Sequence, residues 1–153
     1  MSTDPFDQLQ HELAVLARRS ERVRLAAADV ARSPLDRSGY LLLAHLDERG
    51  EQTMSDLATA FDLDASTVTR QIAPLERRGY VSRTRSDVDR RATLVRITDS
   101  GRAERQLVRE ARTQLMGHRL AEWSVEDVTA LATLLGRLNT TLTEADAATP
   151  PAP

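Results

Sequence analysis

The stretch from Thr53 to Gly101 narrows the choice of fold more than any other, because two helix-start signals stand close together in it and two strand-forming runs follow. Thr53 can cap a first helix, and Asp56 is placed to return the bond as the second half of a capping box. Leu57, Ala58 and Phe61 then form one apolar side. Asp64 suits the N-cap of a second helix, where its carboxylate can accept from the N–H of Ser66 or Thr67. Val68, Ile72 and Leu75 share one face of that helix at helical spacing. Gly79 can close it, since glycine takes positive φ without steric cost. Pro74 removes one N–H from the helix interior, so the Arg70 carbonyl loses its usual partner and a modest bend is expected there.

If Val68, Ile72 and Leu75 point inward, Ser66, Thr67, Thr69, Arg70 and Gln71 face wholly or partly outward near the helix N-terminus. Short hydroxyls permit close approach to a major groove, a guanidinium can bind guanine in a bidentate way, and the helix dipole favours phosphate. Beyond Gly79, the β-branched runs Val81–Arg85 and Thr93–Ile97 fit two strands joined by the loop Ser86–Ala92. This hairpin carries Arg83, Arg85, Arg90, Arg91 and Arg96. The whole chain has a net charge of −2, yet the window Ala65–Arg96 holds eight Arg against three acids, net about +5. Acidic arms flank it on both sides, which directs the cationic surface toward one polyanionic partner.

A helix-turn-helix followed by a basic hairpin is a winged helix. The segments TMSDLA, STVTRQIAPLERRGYV and above all DRRATLVRITDSG resemble the MarR family of bacterial transcriptional regulators. The resemblance implies a mainly α fold with a small β wing, a winged helix-turn-helix joined to a helical dimerisation region. It implies that Ser66, Thr67 and Arg70 face bases, with Thr69 and Gln71 nearby, and that Arg90 and Arg91 belong to the DNA contact. Arg91 would enter the minor groove while Asp89 orients the wing, a placement that reads groove shape more than sequence. It also implies a homodimer on the two half-sites of a pseudo-palindromic double-stranded DNA operator. A small amphipathic or phenolic effector would release that DNA, with His11, Arg18, Tyr40 and His118 as the residues to inspect.

The rest of the chain fits such a layout. Residues 1–32 are expected to form an N-terminal dimerisation helix, with Leu9, Leu13, Leu16, Val23, Ala27 and Val30 as its apolar stripe. Residues 33–97 form the winged helix-turn-helix, after a break at Ser33-Pro34 and a cap at Asp36. The run Tyr40–Leu46 should be its most buried helix, and Glu51 and Gln52 a very short strand against the wing. Residues 98–147 supply C-terminal dimerisation helices. The first is capped by Thr98 with Ala103, Leu107, Ala111 and Leu115 on one side; the last is opened by Ser124 with Asp127, and carries Val128, Leu131, Leu135, Leu138 and Leu142. Residues 148–153 are expected as a disordered tail, with Ala147 at its edge.

Other functions are weaker on the same residues. The chain contains no Cys, which removes thiol redox sensing and thiolate metal sites. His11, His45 and His118 are scattered without metal-ligand spacing, so neither a metal nor another cofactor is expected. No nucleophile-and-base motif or glycine-rich phosphate loop suggests an enzyme. The alternatives are a metal-responsive regulator without a small-molecule ligand, as the family resemblance allows, and a winged helix that binds protein, but a protein interface favours aromatic anchors, and aromatics make up only 3% of this chain. With no signal-peptide pattern and no membrane-spanning run, a cytoplasmic protein with no membrane contact is expected.

Overall fold

The computed structural model describes residues 4–86 and 92–148. Helix α1 spans Pro5–Ala31, and the left-handed backbone of Arg32 (φ +49°) turns the chain toward Pro34. Helix α2, Arg37–Arg49, starts where the Asp36 carboxylate accepts from the Gly39 N–H, and ends at Gly50, whose N–H reaches the Leu46 carbonyl. Strand β1 (Gln52–Thr53), α3 (Met54–Ala60), α4 (Ala65–Arg77), β2 (Val81–Arg85), β3 (Thr93–Ile97), α5 (Asp99–Arg119) and α6 (Val125–Ala148) follow. Two compact units divide within α5, the first running to Leu115 and the second beginning at Met116.

In the first unit the three strands form an antiparallel sheet in the order β1-β3-β2. Val81 pairs with Ile97 and Arg83 with Val95, while Gln52 pairs with Val95 from the other side. This register puts Val81, Val95 and Ile97 on the covered face. They meet Leu42, Leu43 and Leu46 of α2, Leu57 of α3, and Val68, Ile72 and Leu75 of α4 in one core. Truncating such a leucine to alanine typically costs about 2–5 kcal/mol.

Three details depart from the sequence reading, and α5 shows which of its faces the single chain covers. Leu41, inside the apolar run Tyr40–Leu46, is 44% exposed, because α2 is covered on one side only. The short strand is Gln52–Thr53, one residue later than expected, since Thr53 pairs with Leu94 and then caps α3. On α5 the buried residues are Gly101, Val108 and Ala111, whereas Ala103 and Leu107 are exposed. A strict four-residue spacing drifts around a 3.6-residue helix, so the close approach at Gly101 selects the face seven and ten positions on. Finally, Ala147 and Ala148 still belong to α6, as fits the high helix propensity of alanine; residues 149–153 of the expected tail lie outside the described residues.

Helix α5 is tied to α2 by charge as well as by packing. Asp47 accepts from Arg102 Nε at 3.0 Å and from Arg105 Nη1 at 2.7 Å. Ser33 Oγ donates to the Glu104 carboxylate, and the Arg112 guanidinium lies 4.0 Å over the Tyr40 ring.

In the second unit α6 opens where the Asp127 N–H meets Ser124 Oγ at 3.0 Å and that hydroxyl donates to the Asp127 carboxylate at 2.8 Å. Leu131, Leu134 and Leu142 remain exposed along it. Among the described residues no helix is long and apolar enough to cross a membrane.

Candidate nucleic-acid interface

The two short helices of the helix-turn-helix are each set by a side chain that satisfies otherwise unpaired N–H groups. On α3, Asp56 N–H donates to Thr53 Oγ1 at 3.0 Å while the Thr53 N–H reaches Asp56 Oδ2 at 3.1 Å, completing the capping box. The turn passes through Asp62 in the left-handed region (φ +50°), and the Leu63 N–H returns to the Ala58 carbonyl at 2.9 Å. Phe61 packs edge-on against His45 of α2, with ring centroids 5.3 Å apart. Thus a backbone bond and a left-handed turn set the step from α3 to α4, and the aromatic contact ties the end of α3 to α2.

Asp64 caps α4 by accepting the Thr67 N–H at 2.8 Å. The same carboxylate accepts two hydroxyls, Ser66 Oγ at 2.5 Å and Thr67 Oγ1 at 2.8 Å. Thr69 Oγ1 donates to the Ala65 carbonyl at 2.8 Å, and Arg70 Nη2 donates to Thr67 Oγ1 at 3.3 Å. Ser66, Thr69 and Arg70 are exposed, Thr67 and Gln71 half-buried, while Val68, Ile72 and Leu75 of the same helix are buried. The helix continues through Pro74. Its C-terminus closes in a Schellman arrangement, in which the Tyr80 N–H reaches the Leu75 carbonyl and the Gly79 N–H the Glu76 carbonyl, both at 2.9 Å, with Gly79 at φ +73°.

The Ser66 hydroxyl, then the Thr67 N–H and the Thr67 hydroxyl, hold the Asp64 carboxyl well below its ordinary value of 3.8. Bonds from Thr53 lower Asp56 in the same direction. A depressed carboxylate stabilises the fold above its unfolded value and loses that contribution as pH falls through the folded value. Below about pH 4, wild-type helicity should therefore fall further than that of Asp64→Asn, in which the titrating group is gone. Far-ultraviolet circular dichroism between pH 5 and pH 2 checks this, and parallel curves would contradict it.

The hairpin is less uniformly available than its arginine count implies. Arg83 lies on the core-facing register of β2, with Nε 3.0 Å from the Glu76 carboxylate of α4. This is a charge contact rather than an aligned hydrogen bond. Arg96 Nε donates to Ser82 Oγ at 3.1 Å across the two strands. Arg85 is exposed at the end of β2. The Ser86 N–H closes the base of the loop on the Ala92 carbonyl at 3.0 Å. Asp89, Arg90 and Arg91, singled out above, lie outside the described residues.

Of the residues named for an effector, His11 and Arg18 are exposed on α1, and His118 is exposed in the second unit. Tyr40 is half-buried against Arg112. Arg112 and Asp47 were not marked by sequence reasoning, since their partners lie far away along the chain and leave no local spacing signal.

Comparison with known proteins adds independent findings. A model of the MarR family matches residues 35–93. The chain is 34% identical over 136 residues to the uncharacterized HTH-type transcriptional regulator YxaD of Bacillus subtilis, covering 89% of this chain and 94% of that one. It is 29% identical over 103 residues to an organic hydroperoxide resistance transcriptional regulator of the same organism, covering 67% and 69%. In structure it is similar to a MarR family protein from Bacillus stearothermophilus, with a TM-score of 0.73, 20% identity and coverage of 92% and 99%. The wild-type MarR of E. coli in its apo form matches with a TM-score of 0.71, 19% identity and coverage of 90% and 98%.

Proposed function

The chain belongs to the MarR family of DNA-binding transcriptional regulators, and on that footing we propose that it works as a homodimeric repressor reading a pseudo-palindromic operator. The observation that carries this reading is the split character of α4. Its buried face anchors it to the core through Val68, Ile72 and Leu75, and its leading end exposes the Asp64 cap, Ala65, the Ser66 and Thr69 hydroxyls and Arg70, with no large apolar group among them. Such a face enters a major groove N-terminus first. Arg91 is assigned to the minor groove and Asp89 to wing orientation by the family resemblance.

Two copies are favoured by apolar side chains that the single chain leaves open. Phe6, Leu9 and Leu16 of α1 and Leu131, Leu134 and Leu142 of α6 are all exposed. A two-fold axis would bury the same stripes on both copies, setting two α4 helices on half-sites about one helical turn apart. The effector, a small amphipathic or phenolic anion, is assigned to the neighbourhood of Tyr40 and Arg112, where an aromatic face and a guanidinium lie together. It would act by preferring one of two dimer states over the other.

Arg70→Ala tests the reading head. It should weaken operator binding by about 1–3 kcal/mol and relax preference at one base pair per half-site. Fluorescence anisotropy with the upstream DNA of the chain's own gene gives the affinity. Equal affinity and equal base preference in the variant would remove Arg70 from the interface.

A further inference from the structure

Asp64 does more than cap α4. An ionised carboxylate can only accept hydrogen bonds, so the bonds it receives settle where the neighbouring hydroxyl protons point. The single proton of Ser66 Oγ is directed to Asp64 Oδ1, and that of Thr67 Oγ1 to Asp64 Oδ2. The Thr69 proton is directed to the Ala65 carbonyl. All three hydroxyls therefore turn lone pairs, not protons, toward anything that approaches this end of the helix. Thr67 already uses one of them to accept from Arg70 Nη2 at 3.3 Å, which places the guanidinium beside the hydroxyls as the donor of the group.

In a major groove this division has a consequence. Adenine N6 and cytosine N4 are donors, whereas guanine O6 and thymine O4, which occupy the equivalent places, are acceptors. A hydroxyl free to rotate satisfies either kind; one whose proton is held satisfies only the amino group. We propose that Asp64 is a specificity-positioning residue, which by orienting the Ser66 and Thr67 hydroxyls as acceptors makes them select an adenine or cytosine amino group, leaving guanine to Arg70. The proposal rests on the DNA-reading role given to α4 above. An ordinary aspartate is already ionised at neutral pH and this one is held lower still by the hydroxyls it accepts from, so it is acceptor-only there.

The experiment selects bound sequences from duplexes with a randomised half-site, using the full-length chain, Ser66→Ala and Asp64→Asn. Asparagine caps a helix as well as aspartate does, but its amide can donate as well as accept, so the neighbouring hydroxyls regain rotation while the cap is kept. At the base pair whose preference Ser66→Ala abolishes, wild type should disfavour the A-to-G or C-to-T transition by about tenfold. Asp64→Asn, assayed below its own lowered thermal midpoint, should reduce that penalty to about twofold at this base pair and leave the preference read by Arg70 in place, a result that loss of a purely structural cap would not produce.

Three outcomes overturn the proposal. Asp64→Asn can keep the wild-type base profile, the Ser66-dependent position can prefer guanine or thymine, or Ser66→Ala can leave every position as it was. The wild-type and Ser66→Ala arms can still overturn the proposal if Asp64→Asn fails to fold, and Asp64→Ser, which also caps a helix, then takes its place. Wild type enriching no sequence at all is a different failure, since it removes the DNA-reading role of α4 and this proposal with it.

Discussion

Gly101→Ala will destabilise the first unit by roughly 3 kcal/mol, the upper end for overpacking by a single methyl. A Cβ at this position would lie 2.1 Å from the Tyr80 carbonyl oxygen and 3.0 Å from the Ile97 side chain. The backbone cannot simply yield, because that Tyr80 oxygen accepts the Thr98 N–H at 3.0 Å and Thr98 Oγ1 donates to the Gly79 carbonyl at 2.6 Å. Moving α5 away breaks the junction that joins the end of α4, the start of β2 and the start of α5. Gly117, also in α5, serves as the control, since nothing lies within 4 Å of a Cβ built there. Gly117→Ala should be neutral or stabilising by up to about 1 kcal/mol. Urea denaturation of both variants decides the point, and equal midpoints would show that the close approach at Gly101 is not needed.

If the proposed homodimer forms through α6, Leu131→Glu combined with Leu138→Glu will give monomers and lower the apparent operator affinity by about 10²–10⁴-fold, the size of effect expected when two linked contacts become one. Both leucines lie along α6 on the stripe assigned to the two-fold contact. The core of the first unit is built from residues between Leu35 and Ala111, so its winged helix should stay folded in the variant. Sedimentation velocity reads the assembly, and anisotropy with a full operator against a single half-site reads the loss. Wild-type assembly with wild-type retardation would sink the proposed use of this stripe.

Effects of this kind divide according to how far along the chain their causes lie. The caps at Asp36, Thr53, Asp64, Thr98 and Ser124 were readable because each bond joins residues three apart, so the side chain and its target sit within one helical turn. The buried face of α4 and the two wing strands were readable for a related reason. Spacing of 3.6 or 2 residues is a property of the local backbone and does not depend on what the element packs against. The groove-facing set on α4 followed as the complement of that buried face.

Long-range pairing was not readable. Asp47 accepts from Arg102 and Arg105, Ser33 donates to Glu104, and Arg83 contacts Glu76 rather than standing as a free wing cation. The face of α5 that the winged helix covers was not readable either, since Val108 is buried and Leu107 exposed where Gly101 meets Tyr80.

By itself, then, the sequence determined the helices, their caps, the hairpin and the polar leading face of α4. Only the tertiary structure decided which arginines are held by acids and which side of α5 is covered. The physical reason is that local bonds and periodicity act within a turn or two of chain, whereas charge pairing and close packing depend on which distant segments the fold brings within a few ångströms of each other.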